Sequence, residues 1–327
     1  MSNSLDKLEN YNINQKDIQK IKDIGIKSIQ QLYMTRRKNL LSIKGFTEKK
    51  VKNIFEAANK IEVYGLFQKG SSFMNERNNN IFKISTSSIN LDNMLKGGIE
   101  SSSLTEILGE NNTCKTDFLH ILTINSQKIN KNNKIIYIDF DNTFNKKRIT
   151  EFAKSLNVNK KKILENIDLY NDIRNFEQLI QTLNEISDIM HKEEYSLIII
   201  DSLISIFQNY YKEKISFNTP VNELELKIDI ESRLGQVLLK LKNIAMLFNI
   251  VVVITRRIIK NSEENVNDFD LVKYDPNIDI ILGNECNTRI KLKRIKNGNI
   301  KCLLLNSPML PENDCQFIIN EKGIIDC

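Results

Sequence analysis

The chain has 327 residues, and 41% of them are hydrophobic, which is enough for about two domains with a buried core. Its five scattered cysteines never occur as C-x-x-C and it has only two histidines, which excludes a zinc motif, a disulfide-rich fold and a multi-histidine metal site. The 47 basic and 41 acidic residues give a net charge of +6, which permits an anionic partner. The sequence shows neither a long apolar run nor an apolar leader, so we expect neither membrane insertion nor secretion.

Residues 1–62 are predicted to form a helical domain. The stretches IQKIKDIGIKSIQQL and LLSIKGFTEKKVKNIFEAANK each contain an apolar helix that ends at a glycine, Gly25 or Gly45, followed by a second amphipathic helix. This pattern is similar to a tandem helix-hairpin-helix domain, whose turn amides bind backbone phosphate. A small helical protein-interaction domain explains the same pattern equally well.

Residues 63–82 mix small polar side chains with isolated aromatic ones and are predicted to be a linker. From residue 83 to 327, short apolar runs alternate with amphipathic helical stretches, which is typical of a mostly parallel sheet covered on both faces. The runs are LTEILG, KIIYIDFD, LIIIDSLISIF, IVVVIT, RIKLKR, KCLLLN and QFIIN. We therefore expect an α/β fold, with antiparallel strands at its C-terminal end.

A phosphate-binding loop is predicted between the apolar strand LTEIL and the helical stretch DFLHILTINSQ. The loop comprises Gly109, Glu110, Asn111, Asn112, Thr113, Cys114, Lys115 and Thr116. Its spacing places Lys115 for the β and γ phosphates of ATP and Thr116 for Mg²⁺. The second glycine of the motif is replaced by Cys114, whose Cβ costs on the order of 1–2 kcal/mol if the residue is left-handed.

Carboxylates follow two further apolar strands. Asp201 ends LIIID, where a Walker B residue would support Mg²⁺, and Asp139 and Asp141 end KIIYIDFD. A carboxylate beside the γ-phosphate can orient the attacking water as a general base. Each residue alone is also explained as a strand-end turn or a helix cap, but together with the loop they indicate one edge of the sheet.

Long stretches of the chain resemble the eukaryotic RecA-like strand-exchange recombinases and look most like their meiosis-specific branch. They are YMTRRKNLLSIKGFTEKKVKNIFEAANK, ISTSSINLDNMLKGGIESSSLTEILGENNTCKT, IIYIDFDNTFNKKR, YSLIIIDSLISIF, LKNIAMLFNIVVVIT and NSPMLPEND. The resemblance implies a RecA-like P-loop ATPase core at residues 83–327. It also implies an ATP- and Mg²⁺-dependent homo-oligomer, a filament or ring, that binds single-stranded DNA and pairs it with double-stranded DNA in the nucleus, with other recombinase subunits as further partners.

The resemblance assigns roles to individual residues. Asp141 stands where the family has its catalytic glutamate, one methylene longer, so we expect slow hydrolysis, with Lys115 as the second catalytic residue. Thr116 and Asp201 correspond to the Mg²⁺ site. The remaining ATP contacts implied by the family are Arg148 against adenine and, from NSPMLPEND across the protomer interface, Asn306 and Pro311.

The resemblance also predicts a polymerisation segment in the linker. Phe67 and Gly70 stand where the family has F-x-x-A, whose phenylalanine inserts into the neighbouring protomer. The phenylalanine is kept, whereas the alanine methyl is lost at Gly70. The alternative is that Phe67 pins the linker to its own core.

Two DNA-binding loops are expected near residues 208–227 and 258–278. The candidate DNA-binding side chains are Lys212, Lys214, Arg256, Arg257, Lys260 and Lys273. Acidic residues outnumber basic ones in the second loop, which opposes binding to a polyanion. Tyr210, Tyr211 and Phe269 are candidates for base stacking or, alternatively, buried anchors.

Several departures from the family pattern fall at these functional positions. Arg257 stands where the family has the glutamine that senses the γ-phosphate, Ile278 and Asp279 replace paired glycines, and Asn306 replaces an aspartate. Two hypotheses remain open at this point. The first is an ATP-dependent recombinase with slow hydrolysis, and the second is a catalytically weak paralogue that acts as a filament partner or adaptor.

Overall fold

The computed structural model describes residues 5–26, 28–35, 37–61, 70–129, 132–216, 222–258, 276–295, 297–321 and 323–327. The chain divides into two compact units. The first comprises residues 1–80 and 188–192, and the second comprises residues 81–187 and 193–327. Within the described ranges, no helix combines the length and apolar character needed to cross a membrane.

The N-terminal unit is built from short helices around its own apolar core. Its elements are a 3-10 helix (Leu5–Tyr11), α1 (Gln15–Asp23), α2 (Ile29–Met34), α3 (Arg37–Leu41), α4 (Glu48–Ile61) and α5 (Gly70–Asn80). Ser28 and Gln31 form a reciprocal capping box at the start of α2. Gly25 and Gly45 both have φ of +91°, the left-handed conformation that lets a helix end in a tight turn.

The second unit contains a nine-stranded sheet. The strands described here are β1 (Lys83–Ile84), β2 (Ile99–Glu100), β3 (Ser103–Gly109), β4 (Lys134–Asp139), β5 (Ile167–Tyr170), β6 (Tyr195–Asp201), β7 (Val251–Arg257), β8 (Thr288–Arg294), β9 (Ile300–Asn306), β10 (Asp314–Asn320) and β11 (Gly323–Asp326). The order in the large sheet is β11-β10-β9-β8-β3-β7-β6-β4-β5, while β1 and β2 form a separate antiparallel pair.

The sheet is parallel from β8 through β5, and β8, β9, β10 and β11 pair with one another antiparallel. The predicted α/β fold, with antiparallel strands at its C-terminal end, is therefore confirmed. Every residue of β3 and β6 is buried, because central parallel strands are covered by helices on both faces.

Helices connect the strands and cover the sheet. They are α6 (Ile89–Met94), α7 (Lys115–Ile129), α8 (Lys146–Ser155), α9 (Lys160–Glu165), α10 (Phe176–Met190), α11 (Leu203–Ser216), α12 (Glu223–Phe248) and α13 (Pro276–Glu285). Helix α7 begins at Lys115, within the predicted phosphate loop, and α11 begins at Leu203, two residues after Asp201. This connectivity brings both helix N-termini to the carboxyl edge of the parallel strands.

The C-terminal strand also caps the first helix of this unit. Ser88, the N-cap of α6, hydrogen-bonds through its hydroxyl to the carboxylate of Asp326 in β11. The other carboxylate oxygen of Asp326 accepts a hydrogen bond from the backbone amide of Ile89 at 2.7 Å. Residues near the two ends of the unit are thereby joined.

Candidate nucleotide-binding site

A cavity of about 600 Å³ opens at the carboxyl edge of the parallel strands. Its walls are residues 111–117 of the loop and of α7, together with Asp141, Thr143, Asp201, Ser202, Ile204, Ser205, Gln208, Arg257 and Arg294. The volume lies within the usual range for a small-molecule site, about 300–1,000 Å³. The fold thus assembles the predicted loop and two of the predicted carboxylates around one space.

The side chain of Lys115 is hydrogen-bonded to the backbone of its own phosphate loop. Lys115 Nζ donates hydrogen bonds to the carbonyl oxygens of Gly109 and Glu110, each at 2.8 Å. Thr113 Oγ1 also donates to the Glu110 carbonyl, at 2.8 Å. The amino group therefore lies against the backbone that would surround a phosphate.

Two non-glycine residues of this loop are left-handed. Asn112 has φ of +58° and Cys114 has φ of +59°. Asparagine tolerates this conformation, whereas a cysteine Cβ comes close to the following carbonyl. The strain expected at Cys114 is therefore present in the fold.

The charge of Lys115 is destabilised in this position. Burial, opposed by the nearby Asp201 carboxylate and assisted by Arg257, lowers the pKa of its amino group to about 8. Arg257 itself is exposed and lines the cavity. Cations therefore face the place where the loop would hold phosphates.

Asp201 is the centre of a hydroxyl network. Its Oδ2 accepts hydrogen bonds from Thr116 Oγ1 at 2.9 Å and from Thr143 Oγ1 at 3.0 Å. Its Oδ1 accepts one from Thr255 Oγ1 at 2.5 Å. Hard oxygen donors of this kind suit Mg²⁺, so the residues present fit the ion that the motif implies. Thr143 and Thr255 were not singled out from the sequence.

Asp139 and Asp141 differ in their surroundings. The Asp139 carboxylate accepts hydrogen bonds from the backbone amides of Asp141, Thr143 and Phe144, so it shapes the turn after β4. Asp141 lines the cavity. Burial raises the pKa of Asp141, and hydrogen bonds from Ser205 and Ser202 partly oppose that rise. A raised pKa brings a carboxylate closer to the range of a general base.

Arg256 and Arg257 have opposite environments although they are adjacent in β7. Arg256 is 5% exposed, and its Nε donates to Glu106 Oε1 at 2.7 Å. Its Nη2 also hydrogen-bonds to Asp279 of α13. The expectation that Arg256 binds DNA is therefore wrong for this fold, because its guanidinium is buried and neutralised inside the protein.

The other residues implied to contact ATP lie outside the cavity wall. Arg148 makes a bidentate ion pair with Asp117, at 3.1 and 3.2 Å, and its guanidinium lies 4.3 Å from the ring centre of Phe152. Asn306, at the end of β9, is exposed and donates a hydrogen bond to the Gly283 carbonyl. Pro311 is exposed in the following loop.

The residues expected to bind DNA or a neighbouring protomer are only partly described. Lys212 and Lys214 are exposed on α11, and Gly70 is exposed at the start of α5. Tyr211 is 1% exposed, which favours the buried-anchor alternative for that residue. Phe67, Lys260, Phe269 and Lys273 lie outside the described residues.

Comparison with known proteins adds the family context. The Rad51 family profile matches residues 77–327. The chain is 32% identical to the meiotic recombination protein DMC1/LIM15 homolog of Mus musculus over 332 residues, which covers 98% of this chain and 92% of that protein. It is 30% identical to the meiotic recombination protein DMC1 of Saccharomyces cerevisiae over 327 residues (99% and 94%) and 31% identical to the meiotic recombination protein DLH1 of Candida albicans over 327 residues (99% and 97%).

Proposed function

The chain belongs to the Rad51 family, and we propose that it is a meiotic strand-exchange recombinase that binds ATP and hydrolyses it slowly. One observation carries the ATPase part of this proposal. Lys115, Thr116, Asp141 and Asp201 come from three separate strand ends and meet at one cavity of nucleotide size. If these four side chains served only to stabilise the fold, they would not need to converge on one cavity.

The geometry suggests a division of labour among these residues. The amides at the start of α7 and the amino group of Lys115 would bind the phosphates, and Thr116 and Asp201 would hold Mg²⁺. Bound Mg²⁺ would neutralise charge that develops on the phosphate oxygens. Asp141, whose pKa is raised, would accept the proton of a water molecule in the cavity.

Assembly and DNA binding are part of the same proposal. We infer a homo-oligomeric filament or ring in which Phe67 and Gly70 contact the neighbouring protomer, and Asn306 and Pro311 reach the neighbour's nucleotide. Their place outside the cavity wall agrees with a contact made to another protomer. Lys212, Lys214, Lys260 and Lys273 are the proposed contacts to single- and double-stranded DNA, in the nucleus and alongside other recombinase subunits.

A second candidate is a catalytically weak paralogue that caps or seeds filaments of another recombinase. Two observations favour it. Cys114 adopts a strained left-handed conformation inside the phosphate loop. The lysines of the described first loop are offset by Glu213, Glu223 and Glu225, which weakens attraction to a polyanion.

Measurements of ATP binding, of hydrolysis with and without single-stranded DNA, and of strand exchange between homologous DNAs would separate the two candidates. The recombinase proposal predicts DNA-stimulated hydrolysis that Lys115→Ala abolishes. Lys128→Ala, an exposed position near the other end of α7, is the matched control and should leave hydrolysis unchanged. Absence of ATP binding by the wild-type protein, with Lys115→Ala behaving identically, would exclude the ATPase and favour the partner role.

Assembly is tested separately by Phe67→Glu. Loss of the higher oligomer in light scattering would support the polymerisation segment, and an unchanged oligomer would remove that assignment. Tyr64→Glu, in the same linker but outside the F-x-x-G pattern, is the control for a general effect of a new charge.

A further inference from the structure

Two cysteines face each other across neighbouring strands at the C-terminal end of the sheet. Cys302 of β9 and Cys315 of β10 are register partners in an antiparallel pair, so their side chains lie on the same face of the sheet. The backbone amide of Leu304 donates to the carbonyl of Asn313, two residues along each strand. Cys302 and Cys315 are therefore a hydrogen-bonded pair, with Cα atoms about 5.5 Å apart.

That separation is compatible with a covalent bond between the two sulfurs. Disulfides in proteins have Cα–Cα distances of roughly 4.4–6.8 Å. In this structure both residues are free thiols. The sheet thus holds two reduced cysteines at a Cα separation that a disulfide can span.

The two thiols differ in their access to solvent. Cys302 is fully buried in the apolar core of the sheet, whereas Cys315 packs against that core and is partly exposed. The pKa values differ in the same sense. The neighbouring Cys302 thiol lowers the pKa of Cys315, and the same interaction, together with burial, raises the pKa of Cys302. Accessible thiolates are the nucleophiles in thiol oxidation, so Cys315 is suited to react first and Cys302 second.

We propose that Cys315 and Cys302 form an oxidation site at which hydrogen peroxide is reduced to water and the two cysteines become a disulfide. The Cys315 sulfur attacks the O–O bond, takes one oxygen as a sulfenic acid and releases the other as hydroxide, which is protonated to water. The Cys302 sulfur then attacks the Cys315 sulfur, the S–O bond breaks, and the departing hydroxide leaves as water with the Cys302 proton. In total, two thiols and one hydrogen peroxide give one disulfide and two water molecules.

The bond would close a ring around the segment that follows β9. The ring spans residues 302–315 and contains Asn306 and Pro311, which are proposed to reach a neighbouring nucleotide. Oxidation would therefore restrict that segment while leaving the walls of the cavity untouched, because neither cysteine lies there. The oxidation site itself does not depend on the proposed function, since its chemistry involves only the two thiols and the peroxide.

Peptide mapping of the full-length protein tests this directly. The reduced protein is titrated with hydrogen peroxide, alkylated under denaturing conditions and cut with trypsin, which leaves both cysteines on the peptide from residue 302 to 322. We expect that peptide to lose both alkylation sites and two hydrogens, and cleavage after Glu312 to leave its halves joined until a thiol reductant is added. Cys286, which is buried, and Cys327, which is exposed, serve as internal controls.

Two variants assign the roles. Cys302→Ala should trap Cys315 as a sulfenic acid that a dimedone probe labels, and Cys315→Ser should leave Cys302 reduced. If peroxide oxidises Cys327 while Cys302 and Cys315 both remain alkylatable, or if Cys315 is found joined only to another cysteine, the proposal is wrong. Should Cys302→Ala not fold, mapping of the wild-type protein and of Cys315→Ser decides the question.

Discussion

Glu106 accepts a hydrogen bond from Arg256 through one carboxylate oxygen and from Arg289 through the other, at 2.7 and 2.6 Å, inside the sheet core. Asp279 of α13 completes a closed ring by binding the outer nitrogens of both arginines. The ring ties β7, β3, β8 and α13 together. Since Glu106 is fully buried, removal of either arginine leaves a charge without its full complement of partners.

Arg256→Ala should therefore lower the free energy of unfolding by about 3–5 kcal/mol. Arg257→Ala changes the next residue of the same strand but an exposed side chain, and should shift stability by only about 0.5 kcal/mol or less. Urea denaturation of both variants beside the wild-type protein measures the difference. Equal stabilities for the two variants would show that the ring does not contribute as its burial implies.

ATP binding should weaken as the pH rises through about 8. The pKa of Lys115 is lowered to about 8, so the lysine is charged below that value and progressively loses its charge above it. Binding of a polyanion needs the charged form, and affinity should fall by up to about tenfold for each pH unit above 8. Titration with ATP between pH 6.5 and 9.5 gives the profile.

Lys115→Arg is the control for this dependence on pH. A guanidinium stays protonated throughout this range, so the profile of the variant should be flat above pH 8 even where its affinity is lower. A wild-type profile that is already flat, or a variant that keeps the same slope, would place the titrating group elsewhere.

Cys114→Gly should both stabilise the protein and tighten ATP binding. Glycine avoids the left-handed strain, on the order of 1–2 kcal/mol, but loses about 0.4–1 kcal/mol through its freer unfolded state, which leaves a net gain near 1 kcal/mol. Asn112→Gly, at nearly the same φ, should change stability by much less because asparagine already tolerates that conformation. Thermal unfolding and ATP titration compare the two; a stability loss in Cys114→Gly would contradict the strain argument.

Asp141 variants separate nucleotide binding from turnover. Asp141→Asn removes the proposed proton acceptor and should lower the hydrolysis rate by about 10²–10⁴-fold while ATP affinity is kept. Asp141→Glu extends the carboxylate by one methylene and should raise the rate above wild type. Single-turnover hydrolysis measures both, and a rate that does not respond to either change would mean that Asp141 does not act on the attacking water.

The sheet could be predicted because the sequences of its central strands are continuous runs of apolar residues. LIIID and IVVVIT have no polar face, which only a parallel strand covered on both sides explains, and QFIIN and KCLLLN follow one another too closely for a helical crossover. The loop from Gly109 to Thr116 could be predicted from the spacing of its glycine, lysine and threonine. Both features depend on residues that are close together in the sequence, so a single sequence is enough to recognise them.

The remaining parts of the site depend on partners that are distant in the sequence. Arg256 and Arg257 are identical neighbours in the sequence. Because successive side chains of a strand point to opposite faces, Arg256 lies in the core and Arg257 lines the cavity. Glu106 stands 150 residues before Arg256, so no local pattern joins them. Thr143 and Thr255 meet at Asp201 in the same way, because they lie 58 and 54 residues from it in the sequence and only the fold brings them together.

The contact between Asp326 and the start of α6 can form only late in the synthesis of the chain. Ser88 and Asp326 are 238 positions apart, and at about 5–20 residues per second a ribosome needs about 12–48 s to make that stretch. During this interval α6 has its Ser88 cap but lacks the Asp326 carboxylate. The nascent second unit therefore remains without this link between distant parts of its chain until Asp326 has been made.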